Sequence, residues 1–368
     1  MSASPLPPLP FELAGTKIGP GYPPYMIAEL SGNHGGDLNR AVAMIDAAVN
    51  AGADAIKIQS YTAETITLDH DHPDFRVPDG LWQGRQLYEL YQEAHTPWSW
   101  HAPLFAHAKK RGIPLFSSPF DPSAVSLLES LHCPAYKIAS FELVDTPLIA
   151  IVAQTGKPTI LSTGMATPAE IDSAVTTFRH HSSAPLALLH CTSSYPAPLA
   201  EADLNTIPWL QQQFSAISGL SDHTLGITVA VTAVALGAHI IEKHFTLSRE
   251  EGAVDAAFSL EPDEFAAMAT GCREAWQALG RVRTGPSPRE EGSLRFRRSL
   301  YAVAPIRKGE RFSEDNIRSI RPAFGLPPHY LNQILGQIAL RDIERGEPLS
   351  LEMFTPQSAA TATTTQQG

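Results

Sequence analysis

The sequence predicts an α/β protein, a (β/α)8 TIM barrel followed by a small C-terminal domain. Three observations carry that prediction. About eight short apolar runs alternate with helical patterns between Met26 and Leu279, the grammar of parallel βαβ units. That many units in some 250 residues fit a closed barrel better than an open doubly wound sheet, which is the alternative. A polar stretch from Thr284 to Arg298 (TGPSPREEGSLRFRR) then breaks the pattern and reads as a linker before a final module ending near Phe354.

The strands are expected at MIAEL, AIKIQ, IPLFSS, AYKIAS, TILSTG, ALLHCT, AISGLS and HIIEKH. Asp37 caps the helical run LNRAVAMIDAAVNA, and Gly52 closes it. Thr167-Pro168-Ala169-Glu170 is a capping box with proline at the first helical position. Gly112, Gly156 and Gly237 each separate a helical run from the next strand. The connection from Tyr61 to Thr96 is expected to be long, irregular and functional. The domain plan is therefore an N-terminal extension capping the barrel (1–24), the barrel (25–283), the linker (284–298), the small module (299–356) and a disordered tail (357–368).

Composition narrows the function. The chain has 368 residues, 43% of them hydrophobic, so a large core is available. Its 27 basic and 38 acidic residues give a net charge of −11. An acidic chain without a basic block is a poor partner for nucleic acid or an anionic membrane. Cys133, Cys191 and Cys272 are far apart and odd in number, which suits a reducing compartment rather than a disulfide scaffold. No secretory signal or membrane span is legible, so the cytoplasm is the expected address. Phosphate-loop, dinucleotide and α/β-hydrolase motifs are missing from supporting contexts.

Barrel enzymes place their chemistry at the carboxyl ends of the strands, and the polar residues of this chain fall there. Glu29 ends the first run; Lys57 and Gln59 lie in the second; Ser118 ends the third. Lys137 and Ser140, with Glu142 just beyond, belong to the fourth. Ser193 and Tyr195 follow the sixth, Ser221 and His223 the seventh, and Glu242 and His244 lie in the last. Lys57 and Lys137 sit within strand patterns, where lysine is rare unless paired or functional. They suit an anion site for phosphate or carboxylate, with hydroxyls as further donors; an edge-strand lysine and a Schiff-base lysine are the alternatives. His223 and His244 end neighbouring strands and suit a borderline divalent ion such as Mn, Zn, Co or Fe. Asp255, in the next loop, is placed to complete or tune that site. His190 reads as packing, and His70, His72, His180 and His181 as solvent-facing.

These motifs together resemble the sialic acid synthase family, the phosphoenolpyruvate-condensing enzymes of nonulosonic acids. The matching segments are IAELSGNHGGDLNRA, AGADAIKIQSYTAET, FSSPFD, AYKIASFE, LSTGMA, LLHCTSSYPAP, GLSDHT and IIEKHFT, in order. YAVAPIRKGERFSEDNIRSIRP and GLPP resemble the antifreeze-like (SAF) domain that ends these synthases. SGNHGGDLNRA, LYELYQEAHTPWSWH, VDAAFSLEP and RPAFGLPPHYL are closest to the pseudaminic acid branch, with the legionaminic and N-acetylneuraminic acid branches as alternatives.

The resemblance implies a reaction and a division of labour. The enol carbon of phosphoenolpyruvate attacks the aldehyde of an open-chain N-acylated hexose, water adds at C2, and phosphate leaves by C–O cleavage. Lys57, Ser118, Lys137, Ser140, Ser193 and Ser221 would bind phosphoenolpyruvate. Gln59, Tyr195 and Asp255 would face the sugar, and Glu29 and Glu142 would serve sugar binding and proton transfer. His223 and His244 would hold a divalent metal, foremost Mn2+, with Mg2+ or Co2+ as the other candidates. Arg321 of the SAF module would reach the sugar's N-acyl group in a domain-swapped homodimer. A Schiff-base aldolase and a sugar-binding protein without catalysis are the readings from other classes.

Overall fold

The computed structural model describes residues 8–354. The first residues of the proline-rich start and the expected tail (357–368) lie outside the described residues. The chain forms two compact units, divided after Gly280.

The first unit begins with an antiparallel hairpin, β1 (Phe11–Leu13) and β2 (Thr16–Ile18). Eight parallel strands follow: β3 (Tyr25–Glu29), β4 (Ala55–Ser60), β5 (Leu115–Pro119), β6 (Tyr136–Ile138), β7 (Thr159–Ser162), β8 (Leu186–Cys191), β9 (Ile217–Asp222) and β10 (Ile240–His244). Each pairs with the next, and β10 pairs with β3, so the sheet closes into a barrel. All eight predicted runs are strands, and closure rules out the open sheet. Leu13 and Ile18 of the hairpin are fully buried in one cluster with Tyr25, Ile27, Ala187 and Ile240. The hairpin therefore packs on the barrel core, away from the carboxyl ends.

Helices connect the strands, with the predicted punctuation. Asp37 accepts from the Asn39 amide and starts the helix Leu38–Asn50. Thr167 and Glu170 form the reciprocal capping box of the helix Pro168–His181. Outward strand residues such as Met26, Ile56 and Ile241 pack against Met44, Ile45, Phe265 and Met268 of the helices. That layer is the second half of the core.

One expectation is corrected. The Tyr61–Thr96 connection is not irregular throughout; it holds short helices at Ala63–Ile66 and Leu87–Ala94. Leu90 is buried and Tyr91 packs edge-on to Tyr61 at 5.8 Å, so an apolar helical face anchors the segment. The breakers Pro78, Gly80 and Gly84 hide that short period in the sequence.

The second unit has a small core of its own, built on Leu300, Ile306, Phe312, Ile317, Ile334 and Leu349. Strands β11 (Ser299–Ala302) and β12 (Ile317–Ile320) pair antiparallel. Upstream, the chain from Arg281 to Arg298 is mostly exposed and includes one 3-10 turn at Glu291–Phe296.

Candidate active site

Strand pairing decides which side chains meet. Side chains alternate between the two faces of a strand, and Glu29 stands opposite Lys57, Gln59 opposite Ser118, and Ser221 opposite Glu242. These inward residues form one polar layer across the carboxyl end of the barrel.

Glu242 is the hub. Its Oε1 lies 3.0 Å from Lys57 Nζ and 3.2 Å from Lys137 Nζ, and accepts from Ser221 Oγ at 3.3 Å. Lys57 also pairs with Glu29 Oε2 at 3.0 Å and donates to Ser118 Oγ at 3.4 Å. All of these groups are buried. Burial opposes ionisation of Glu242, but Lys137 and Lys57 outweigh it and hold the carboxyl well below the usual carboxylate range. Lys137 titrates below an ordinary lysine because burial outweighs the attraction of Glu242. Burial pushes Glu29 up, against the pull of Lys57.

A ring of hydroxyls completes this end. The Gly164 amide donates to Ser140 Oγ at 3.2 Å. A side chain on Gly164 would collide with the hydroxyls of both Ser193 and Ser140, so glycine there lets two serines converge. Glu142 stands at the rim with its carboxyl pushed up to about 7 by burial.

The histidines share one wall. Their ring centroids are 5.3 Å apart, and His244 packs on Phe258 at 4.8 Å and His223 on Tyr195 at 4.5 Å. His223 Nδ1 faces the Thr192 carbonyl at 3.0 Å and Cys191 Sγ at 3.7 Å. Donation to that carbonyl leaves Nε2 as the basic nitrogen. His244 is held neutral by burial and by His223, and its Nδ1 is buried without a hydrogen-bond partner. Burial would raise the Cys191 thiol, yet His223 alongside brings it down to about 7. Nε2 of His223 and the unpartnered Nδ1 of His244 are nitrogens that fit a borderline divalent ion. Burial opposes protonation of His223, but Cys191 beside it holds the imidazole above its ordinary value, so an ion there would displace a proton. Among the described residues, no group of three or more His, Cys, Asp or Glu side chains is arranged to hold one. Asp255 instead accepts from the Gly32 amide at 3.3 Å.

On the remaining side, Gln59 Nε2 donates to Glu29 Oε1 at 3.0 Å and to Ser31 Oγ at 2.9 Å. Glu29, Lys57, Ser118, Lys137 and Ser221 thus gather around Glu242, with Gln59 tied in through Glu29. Ser140 and Ser193 meet at Gly164, and Tyr195, His223 and His244 form the aromatic wall. Arg321 lies in the second unit and is exposed. Ser31 and Gly164 join the cluster although they are not among the expected site residues, and Glu242, expected only as a polar group of the last strand with no role assigned, lies at its centre. A carboxylate within an apolar strand run was the available signal for Glu242. His190 bonds the Ala202 carbonyl at 2.8 Å, a packing role.

A parallel barrel with a lysine-rich, two-histidine rim and a small appended unit defines a class of barrel synthase. The chain belongs to the NeuB family, whose model matches residues 44–284; a SAF domain matches residues 297–355. The pseudaminic acid synthase of Campylobacter jejuni is 46% identical over 333 residues, 90% of this chain and 96% of that protein. The pseudaminic acid synthase of Helicobacter pylori is 42% identical, over 90% of this chain and 97% of that protein. The N-acetylneuraminic acid synthetase structure from Leptospira borgpetersenii, solved with citrate, superposes with a TM-score of 0.70 at 34% identity, covering 78% of this chain and 95% of that one. Among the described residues no helix is long and apolar enough to cross a membrane.

Proposed function

We propose that this protein is a pseudaminic acid synthase, a transferase that forms a carbon–carbon bond. It condenses phosphoenolpyruvate with 2,4-diacetamido-2,4,6-trideoxy-L-altrose and water, giving pseudaminic acid and phosphate. The relatives at 42–46% identity support the product. The observation that carries the chemistry is the convergence of two buried ammonium groups and four serines on one end of a closed barrel.

Lys57 and Lys137 give that end the positive charge a phosphate and a carboxylate require, and Ser118, Ser140, Ser193 and Ser221 supply neutral donors. The amine–carboxylate pairs keep the cluster ordered before substrate arrives. C3 of the enol bonds to the sugar aldehyde carbon, and the aldehyde oxygen takes a proton. Water adds its oxygen to C2, and the C2–O bond breaks as phosphate leaves. Glu142, half-ionised near neutrality, is placed to move a proton at the rim. Gln59, Tyr195 and Asp255 orient the sugar.

His223 and His244 are proposed to hold a divalent metal, Mn2+ foremost. When bound, the ion would act as a Lewis acid toward the aldehyde oxygen. We place the enzyme in the cytoplasm as a homodimer in which the SAF unit brings Arg321 to the partner's barrel. Three buried free thiols support the reducing compartment.

The test is phosphate release from phosphoenolpyruvate with a panel of three sugars: N-acetylmannosamine and the diacetamido-trideoxy precursors of pseudaminic and legionaminic acids. Release with the altrose compound is expected; release with another sugar alone overturns the assigned product.

A further inference from the structure

We infer that Ser31 is a positioning residue for the sugar half of the site: its hydroxyl, held in place by a left-handed backbone, aims Gln59, and the amide of the adjoining Gly32 in the same turn holds Asp255. This rests on the sugar-side assignment of those two residues.

The backbone supplies the first observation. Six non-glycine residues have positive φ among the described residues, and five of them are exposed. Ser31 alone is buried, at φ 45°. Side chains rarely occupy this region, and such strain persists only where surroundings over-determine it. Here they do. The adjoining Gly32 lies so close to Ala94 that a side chain would meet Ala94 Cβ at 3.0 Å. Asn33 bonds the Phe245 carbonyl at 2.9 Å and Ser259 Oγ at 2.8 Å, tying the turn to the loop after β10.

The hydroxyl supplies the second. Ser31 Oγ accepts from Gln59 Nε2 at 2.9 Å, while Glu29 Oε1 accepts from the same nitrogen at 3.0 Å. Both amide hydrogens are then engaged, so the Gln59 amide cannot flip, and its oxygen is left to accept from a ligand hydroxyl or amide. The same turn reaches Asp255: the Gly32 amide, adjoining Ser31, donates to its carboxylate at 3.3 Å. One turn thereby sets two groups, Gln59 on strand β4 and Asp255 in the loop after β10, 196 residues apart (255 − 59). A ligand reading both must match their fixed spacing, which is how rigid polar groups select stereochemistry.

Ser31→Gly is the decisive variant, because glycine accepts the left-handed backbone without strain and only the hydroxyl is lost. The expected result is a rise of about ten-fold in KM for the altrose sugar, the size of a lost neutral hydrogen-bond network. KM for phosphoenolpyruvate should stay within about two-fold, which a general structural defect would not spare. Ser31→Ala should show the same split and melt at a lower temperature than Ser31→Gly. A sugar KM unchanged in both variants overturns the inference. A wild-type protein that turns over none of the three sugars overturns the functional reading instead, and the inference with it.

Discussion

Glu242 Oε1 and Lys57 Nζ lie 3.0 Å apart at the centre of the barrel mouth, both buried, with Lys137 on the same carboxylate oxygen at 3.2 Å. One acidic group thus holds two ammonium groups within reach of one ligand. Without it, two like charges would share a desolvated space.

Removing that carboxylate should be felt first in stability. Breaking a buried pair leaves an uncompensated charge, which costs about 3–5 kcal/mol. Glu242→Ala should lose that much in urea unfolding. A loss below about 1 kcal/mol would mean the lysines are held by something else.

Lys137→Ala should separate the two substrates. Losing a charge-assisted donor costs about 1.5–3 kcal/mol, so phosphoenolpyruvate binding should weaken about ten-fold or more. Sugar binding should change far less. Calorimetric titration showing the reverse order would break the anion assignment.

The histidines predict metal dependence. His223→Ala or His244→Ala should reduce turnover by about 100-fold or more while circular dichroism stays native. Chelation of the wild type should inactivate it, and Mn2+ should restore it. An active, chelator-resistant histidine variant would end the metal role.

Glu142 makes turnover pH-dependent near neutrality. Its folded pKa, raised by burial to about 7, lies above the unfolded value. Between the two values the folded state binds the extra proton, so this group's contribution to stability falls as pH rises through that window. As a proton donor it should give a rate that declines above about pH 7. Glu142→Gln should be slow and lack that limb; a variant profile matching the wild type assigns the limb elsewhere.

Arg321→Ala tests the proposed dimer. KM for the sugar should rise while KM for phosphoenolpyruvate holds, and sedimentation should still report a dimer. A wild-type monomer with full activity would remove the partner's contribution.

Much of this was legible in the chain. The eight runs, the Asp37 and Thr167 caps, and the position of Lys57, Lys137, His223 and His244 at strand ends follow from local rules of periodicity and capping. The helix at Leu87–Ala94 did not, because eight residues flanked by glycine and proline carry too little period to stand out. Ser31 was opaque for another reason: a serine after a strand usually caps a helix, and nothing in its neighbours announces a left-handed φ.

The sequence by itself determined which residues carry charge and hydroxyls, and that alternating strands and helices would send them to one end of a parallel sheet. Only the tertiary structure decided that Glu242 serves two lysines and that the Ser31–Gly32 turn serves both Gln59 and Asp255. The physical reason is register. Closing β10 onto β3 sets Glu29 opposite His244, 215 residues apart (244 − 29), and fixes the distances between charges that local sequence cannot encode.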